Sequence, residues 1–326
     1  PYRIPVIGYE DIFKTLNRKD LLTFFHRHYL PNNMIVSIVG DVREAEVRAE
    51  AQKQFADYPR RAYPPVVLPA EPEQIGLRTA RQTGAWNVAR LEWAWHTVPV
   101  SHPDAPALDL LAAIVGQGRS SRLSQTIQEN QKLVSRIEAW SFTPREAGLF
   151  GVSAVCDQTN VPALDRALEA EIKNWLTVPF RPAEIEKARL NALTSLLTTF
   201  QTMHGQADQL AAGEFYAGTP TFFQVYLRRL RDVTPASLTD IVRCYLTPDK
   251  LTKAMLLPAD AGSQTSDNVT EKQMANIQLT TGKQALVHLA ADRTSNSESL
   301  KPTGRDLQAE DGKRKAEIHK TRLSNG

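Results

Sequence analysis

The sequence predicts an α+β protein of two-layer domains, an antiparallel-rich mixed sheet covered by helices, with that layout repeated along the chain. Three observations predict it. Leu91, Trp93, Trp95 and Thr97 in 89–98, and Phe150, Val152 and Ala154 in 148–156, follow the two-residue period of strands buried on one face. Segments of helical length and pattern lie around them, at about 104–115, 119–130, 160–177, 183–201 and 220–230. Residues 234–257 then repeat the grammar of 17–40 at an offset of 217: Asn17 meets Thr234, Asp20 meets Ser237, Leu21 meets Leu238, Pro31 meets Pro248 and Met34 meets Leu251.

Taken in order, Asn17 is a helix-capping residue followed by Leu21, Leu22, Phe24, Phe25 and Tyr29, and Pro31 stops the helix. Residues 34–39 form a β-branched run between Asn32-Asn33 and Gly40-Asp41, which predicts a buried strand, and a helix follows at about 43–55. Pro59, Pro64, Pro65, Pro69 and Pro72 exclude a helix and favour an extended connector, so a domain boundary is expected there. The expected layout is therefore 1–62 as the back part of a first domain, 63–78 as connector and 79–260 as a second, complete α+β domain. Residues 261–312 are rich in Ser, Thr, Asn, Asp and Gln and read as a polar linker, with room for a strand or two in 278–289. Residues 313–326 read as the first strand of a following half, entering a hairpin at Asn325-Gly326. Running from Pro1 to Gly326, the chain is read as an internal fragment, so its lack of a signal peptide says nothing about location.

At 42% hydrophobic and 23% charged residues the composition is that of a globular protein with a sizeable core. A net charge of +3, from 39 basic against 36 acidic residues, gives none of the footprint that nucleic acid or an anionic membrane requires. The longest apolar run, 108–115 with Asp109 inside it, falls far short of the roughly 18 residues needed to span a bilayer. Cys156 and Cys244 have no metal-ligand spacing and read as small hydrophobes rather than a bridge.

No residue set is read as a metal or nucleophilic site. Zinc hydrolases place two histidines on one helix face three or four residues apart, with a glutamate beside them. His26 and His28 are two apart, about 200° around a helix, with no carboxylate between them. His102, before Pro103, reads as a cap or turn residue and His96 as a strand-end residue, while His204, His288 and His319 are isolated. Gly116-Gln-Gly-Arg-Ser-Ser-Arg-Leu123 has glycines that could approach a phosphate, but it lacks Gly-Lys-Ser/Thr and a preceding strand. It reads as a turn capped by Ser120 or Ser121, which also lack the Gly-x-Ser-x-Gly elbow of a nucleophile. Trp86, Trp93 and Trp95 read as core, with a peptide-contacting surface as the alternative.

Together these segments resemble the pitrilysin/insulinase family of zinc metallopeptidases, the inverzincins. Pro1-Tyr2, Pro5-Val6-Ile7-Gly8, Tyr29-Leu-Pro-Asn-Asn-Met34 and Ile38-Val-Gly-Asp41 are similar to the back part of the family's first domain. The Gly116–Leu123 turn and the helix at 234–246 are similar to parts of the following domain, and Leu323-Ser-Asn-Gly326 to the strand that opens a second half. The resemblance implies a zinc metalloendopeptidase acting on short or unfolded peptides, with this stretch forming a wall of the substrate chamber. It also implies that the His-x-x-Glu-His ligands and base lie upstream of Pro1, so zinc is expected in the parent and none on this chain. The family's substrate-orienting Arg and Tyr, seven positions apart, fall at Gln128 and Ser135 when aligned on Lys132-Leu-Val134, and neither side chain replaces its counterpart. The implied partners are a peptide and the flanking halves or a homologous subunit; a non-catalytic peptide-binding or scaffold subunit is the alternative.

Overall fold

The computed structural model describes residues 5–63 and 71–259. The chain divides into two compact units, residues 8–63 falling in one and 71–259 in the other. The expected linker at 261–312, the strands at 278–289 and the closing strand at 313–326 lie outside the described residues.

The unit at 71–259 is a two-layer α+β domain. Its sheet has five strands, β1 (Arg78–Gly84), β2 (Ala89–His96), β3 (Arg136–Phe142), β4 (Leu149–Cys156) and β5 (Leu251–Pro258), in the order β1-β5-β2-β4-β3. Only β1 and β5 run parallel, so the sheet is mixed and mainly antiparallel, as the sequence predicts. The register Leu91↔Ala154, Trp93↔Val152 and Trp95↔Phe150 puts the alternating apolar residues of β2 and β4 side by side on one face. That face is covered by α4 (Ala105–Gly116), α5 (Val161–Thr177), α6 (Pro182–Phe200), α8 (Phe222–Asp232) and α9 (Pro235–Tyr245), with α7 (Met203–Ala217) joining α6 to α8. Leu108, Leu111, Leu164, Leu168, Trp175 and Phe180 meet Trp93, Trp95 and Phe150 in the core. Burying each such side chain stabilises the fold by about 1.5–3 kcal/mol.

Helix ends follow the sequence. Prolines occupy the first turns of α4, α5, α6 and α9, where a missing N–H costs nothing. Thr202 caps α7 by accepting from Gly205 N at 3.0 Å, and Gly218, at φ 72°, ends it in the left-handed conformation. The helix expected at 119–130 forms instead as a π-helix, Ser124–Asn130, closed by an N–H···O bond from Gln131 to Thr126 at 3.2 Å.

The unit at 8–63 holds α1 (Glu10–Thr15), α2 (Arg18–His28) and α3 (Glu44–Phe55). Here the internal repeat becomes concrete. Asn17 accepts from the N–H of Lys19 and Asp20 while Asp20 accepts from Asn17 N; Thr234 and Ser237 reciprocate in the same way at the start of α9. Each helix is eleven residues long and each is followed by a one-turn 3-10 helix at its proline, Pro31–Asn33 and Pro248–Lys250. The copies then part. Residues 251–258 become β5, but 34–39, expected as a strand, are not one. β5 lies between β1 and β2 and bonds to both, whereas no strand is present among the described residues of 8–63. A strand exists only through its neighbours. Met34 and Val36 are accordingly 42% and 58% exposed, against 5% and 9% for Leu251 and Lys253 at the matching positions of the repeat.

Candidate functional site

Most of the described residues weighed for chemistry have a structural occupation. His28 shares a hydrogen bond of 3.1 Å with Tyr63 Oη and packs on Phe24, and His26 is exposed beside Phe25. His102 Nδ1 accepts from Asp104 N at 3.2 Å, a local turn contact of the kind expected of a cap or turn residue. His96 lies 3.8 Å from Glu71 and His204 3.1 Å from Asp208, while His288 and His319 lie outside the described residues. Among the described residues no three His, Cys, Asp or Glu side chains converge on a position where they could hold a metal ion. Cys156 is buried, which pushes its thiol up to about 11, and Cys244 is exposed; the two are not bridged.

The Gly116–Leu123 turn is a clamp between α4 and α6. Gly116 lies so close to β3 that a Cβ there would stand 2.0 Å from Ala139 N. Gly118 has φ +79°, a conformation that favours glycine, with open space around it. Arg122 grips Glu184 with two bonds of 3.1 and 2.9 Å, donates to Pro179 O and lies over the Phe180 ring at 4.3 Å. Burial opposes the charge on Glu184, yet donors from Arg122 and Arg181 outweigh it and hold the carboxyl at about 2. Ser120 bonds to Lys187, and Ser121 Oγ accepts from Ser124 N. With its polar groups committed to α6 and to the turn itself, this segment is built as a joint and offers no cradle for phosphate.

Gln128 and Ser135 face each other across the loop that follows the π-helix. Gln128 Nε2 donates to Ser135 O at 2.8 Å, and Ser135 N and Oγ both donate to Val155 O, at 2.9 and 3.1 Å. They hold the approach to β3, together with Lys132, at φ 52°. Of the tryptophans, Trp93 and Trp95 are core: Lys253 Nζ sits 4.1 Å over Trp93, and Trp95 Nε1 donates to Thr247 O at 3.1 Å. Trp86 is half-buried against Gly84.

Three polar groupings were not read from the sequence. On the sheet face opposite the helices, Glu92 accepts from Trp140 Nε1 at 2.7 Å and Ser153 Oγ at 2.9 Å, and burial raises its carboxyl to about 7. Trp140 can lie there because its cross-strand neighbour is Gly151, where a Cβ would come within 2.2 Å of the indole. Inside the core, Tyr226 donates to Asp109 at 2.7 Å, and burial raises both pKa values. Lys253, itself buried, lies 3.4 Å from Asp165 and 3.6 Å from Glu169 on α5. An open cleft of ≈ 440 Å³ lies between α4, α8 and α9, lined in part by Asp104, Arg229, Asp232 and Cys244. Asp104 there is taken by Tyr245 and Arg229 by Ser101 O, so no nucleophile, base and orienting group are assembled in it. No helix among the described residues is long and apolar enough to cross a membrane.

The sequence profile of the peptidase M16 inactive domain matches residues 15–191. The zinc protease PqqE of Helicobacter pylori is 25% identical over 271 residues, covering 79% of this chain and 59% of that protein. The probable mitochondrial-processing peptidase subunit beta of Schizosaccharomyces pombe is 26% identical over 219 residues, covering 63% and 47% respectively. The chain therefore spans about half to three-fifths of the length of these relatives. Among solved structures, a protease from Helicobacter pylori shares the fold with a TM-score of 0.70 at 23% identity, covering 77% of this chain and 62% of the other. A peptidase M16 inactive domain from Pseudomonas fluorescens shares it at 0.63 and 18%, covering 78% and 61%.

Proposed function

The chain belongs to the family of the peptidase M16 inactive domain, and from that premise we propose that it forms a wall of the substrate chamber of a zinc metalloendopeptidase. The reading rests above all on residues 34–39. They carry the sequence of a central strand, as their repeat β5 does, yet stand mostly exposed and without a strand partner among the described residues. A second sheet is thus called for, whose remaining strands are supplied by flanking chain or by a homologous subunit. On this reading residues 1–62 are the back part of that sheet's domain, 63–78 the connector and 79–260 a domain that binds no metal. The described side chains do not fit a zinc ion, since no three ligands converge among them. What this chain contributes is placement: a rigid sheet and helix layer against which the metal-bearing part is aligned, and alignment is worth several kcal/mol in catalysis.

A second reading, a non-catalytic peptide-holding or scaffold subunit, is favoured by the family's own description as an inactive domain. Reconstitution separates the two. The chain alone, dialysed against a weak chelator, is expected to hold no stoichiometric zinc; one tightly held zinc per chain overturns both readings. Joined to the flanking sequence of its gene or mixed with the homologous subunit, it is expected to cleave short unstructured peptides, with cleavage blocked by a chelator. Zinc-free, inactive assemblies favour the scaffold. In an active assembly Gln128→Ala or Ser135→Ala should change the rate by less than about tenfold, or 1.4 kcal/mol. A thousandfold loss would assign them chemistry.

A further inference from the structure

We propose that the edge of β1 left unpaired among the described residues takes up an extended acidic peptide segment as a sixth strand of the sheet. The two edges of the sheet differ. β3 is backed by α4, whose Gly116 touches the Ala139 backbone, and Ile137, Ala139, Trp140 and Ser141 are buried. Arg78 to Thr83 are all exposed, and among the described residues β1 pairs on one side only, with β5, over seven residues. A strand paired on one side leaves a row of outward N–H and C=O groups, the template for strand addition.

This edge is held ready. Gln74, buried just before β1, donates to Leu251 O at 2.7 Å and Gly76 O at 2.9 Å, and its Oε1 accepts from Thr252 Oγ1 at 3.2 Å. With the strand pinned at its root and in register along its length, little conformational entropy is left to lose on binding.

The charge pattern names the occupant. Arg78 and Arg81 are the only charged residues of β1, lie on opposite faces, and form no ion pair among the described residues. Arg90, exposed on β2, is a third guanidinium in the same condition, on the face that carries Arg78. Two copies of this edge brought together antiparallel would crowd arginines against arginines, which disfavours self-pairing. An incoming strand with carboxylates on both faces meets the opposite situation. The proposal rests on this edge alone, independently of the chamber-wall reading, because binding is measured without zinc, flanking chain or turnover.

The test titrates the intact chain with a capped, fluorescent peptide of about eight residues alternating threonine and glutamate, a length within the usual range of strands. Comparison peptides carry lysine in place of glutamate, or proline at alternate positions. The acidic peptide is expected to bind at least about tenfold more tightly than either, a difference of 1.4 kcal/mol. Hydrogen exchange should slow at β1 amides on binding, and Arg78→Glu/Arg81→Glu, both at exposed positions, should reverse the charge preference. Equal binding of the proline peptide, unchanged exchange in β1, or equal competition by an oligonucleotide of the same charge would reduce the arginines to a plain anion patch and overturn the proposal.

Discussion

Gly116 and Gly118 stand two residues apart in the same turn, and alanine at each should fail for a different reason. In an unobstructed helix, Gly→Ala stabilises by about 0.4–1 kcal/mol because it restricts the unfolded chain. At Gly116, the last residue of α4, the added Cβ would lie 2.0 Å from Ala139 N, 2.3 Å from its Cβ and 2.6 Å from its Cα. Ordinary carbon contacts sit at about 3.5–4.0 Å, so α4 or β3 must move by more than an ångström. β3 cannot move alone, because it is bonded along its length to β4. Overpacking of this kind costs about 1–3 kcal/mol, and Gly116→Ala belongs at the upper end because the obstruction is backbone. Gly118→Ala meets nothing within 4 Å and should cost only the left-handed backbone, about 1–2 kcal/mol, with Gly118→Asn milder. Adding Ala139→Gly to Gly116→Ala removes the Cβ contact but leaves the 2.0 Å contact with the backbone nitrogen, so rescue should be partial. Urea denaturation followed by tryptophan fluorescence measures all four variants. If Gly116→Ala is as stable as the parent chain, the close packing of α4 on β3 is wrong.

Other outcomes follow from the same contacts. Glu92 has a folded pKa of about 7 against an ordinary 4.5, so its stabilising share is full below pH 4.5 and lost as pH rises through 7. Glu92→Gln should remove that loss, on the order of 3 kcal/mol at most, and stability measured from pH 4.5 to 8 would show it as a flatter profile. Arg122→Ala leaves the Glu184 carboxylate, 16% exposed, without its two-pronged partner and should cost about 2–3 kcal/mol in urea; a loss under 0.5 kcal/mol would make the clamp idle. Asn17→Ala and Thr234→Ala each remove a reciprocal cap worth about 1 kcal/mol. Because the two caps lie in different units, hydrogen exchange should loosen α2 in the first variant and α9 in the second, and uniform loosening would contradict that division.

How much of this was legible depended on whether the cause was local. Leu91, Trp93 and Trp95, like Phe150, Val152 and Ala154, announce their strands because the core lies on one side of each. β1, Arg-Thr-Ala-Arg-Gln-Thr-Gly, has no apolar rhythm, since an edge exposed on both faces needs none; it is a strand because β5, over 170 residues away, bonds to it. β3 shows no clean alternation because Trp140 and Phe142 put bulky residues on the face opposite Ile137 and Ala139. In α7, Gly205, Ala207, Ala211 and Gly213 blur the helical period. The strand expected at 34–39 shows the converse error, for its residues have the right character but lack described neighbours. Glu92 could not be singled out, because Trp140 and Ser153 lie 48 and 61 residues away; a carboxylate set among the tryptophans of β2 was the available hint.

The π-helix at Ser124–Asn130 makes this stretch a store of spare chain length. A π turn carries about one residue more than an α turn, so one deletion inside it can be absorbed by tightening the bond from Gln131 to Thr126 into an α-type ring. The same deletion at 132–135, where Ser135 is already tied to Val155, would draw β3 along by one position. Glu138 would then stand where Ile137 now packs, and every side chain of the strand would change faces. Two neighbouring segments thus differ sharply in how they tolerate a lost codon, and natural length variation ahead of β3 should gather in the first.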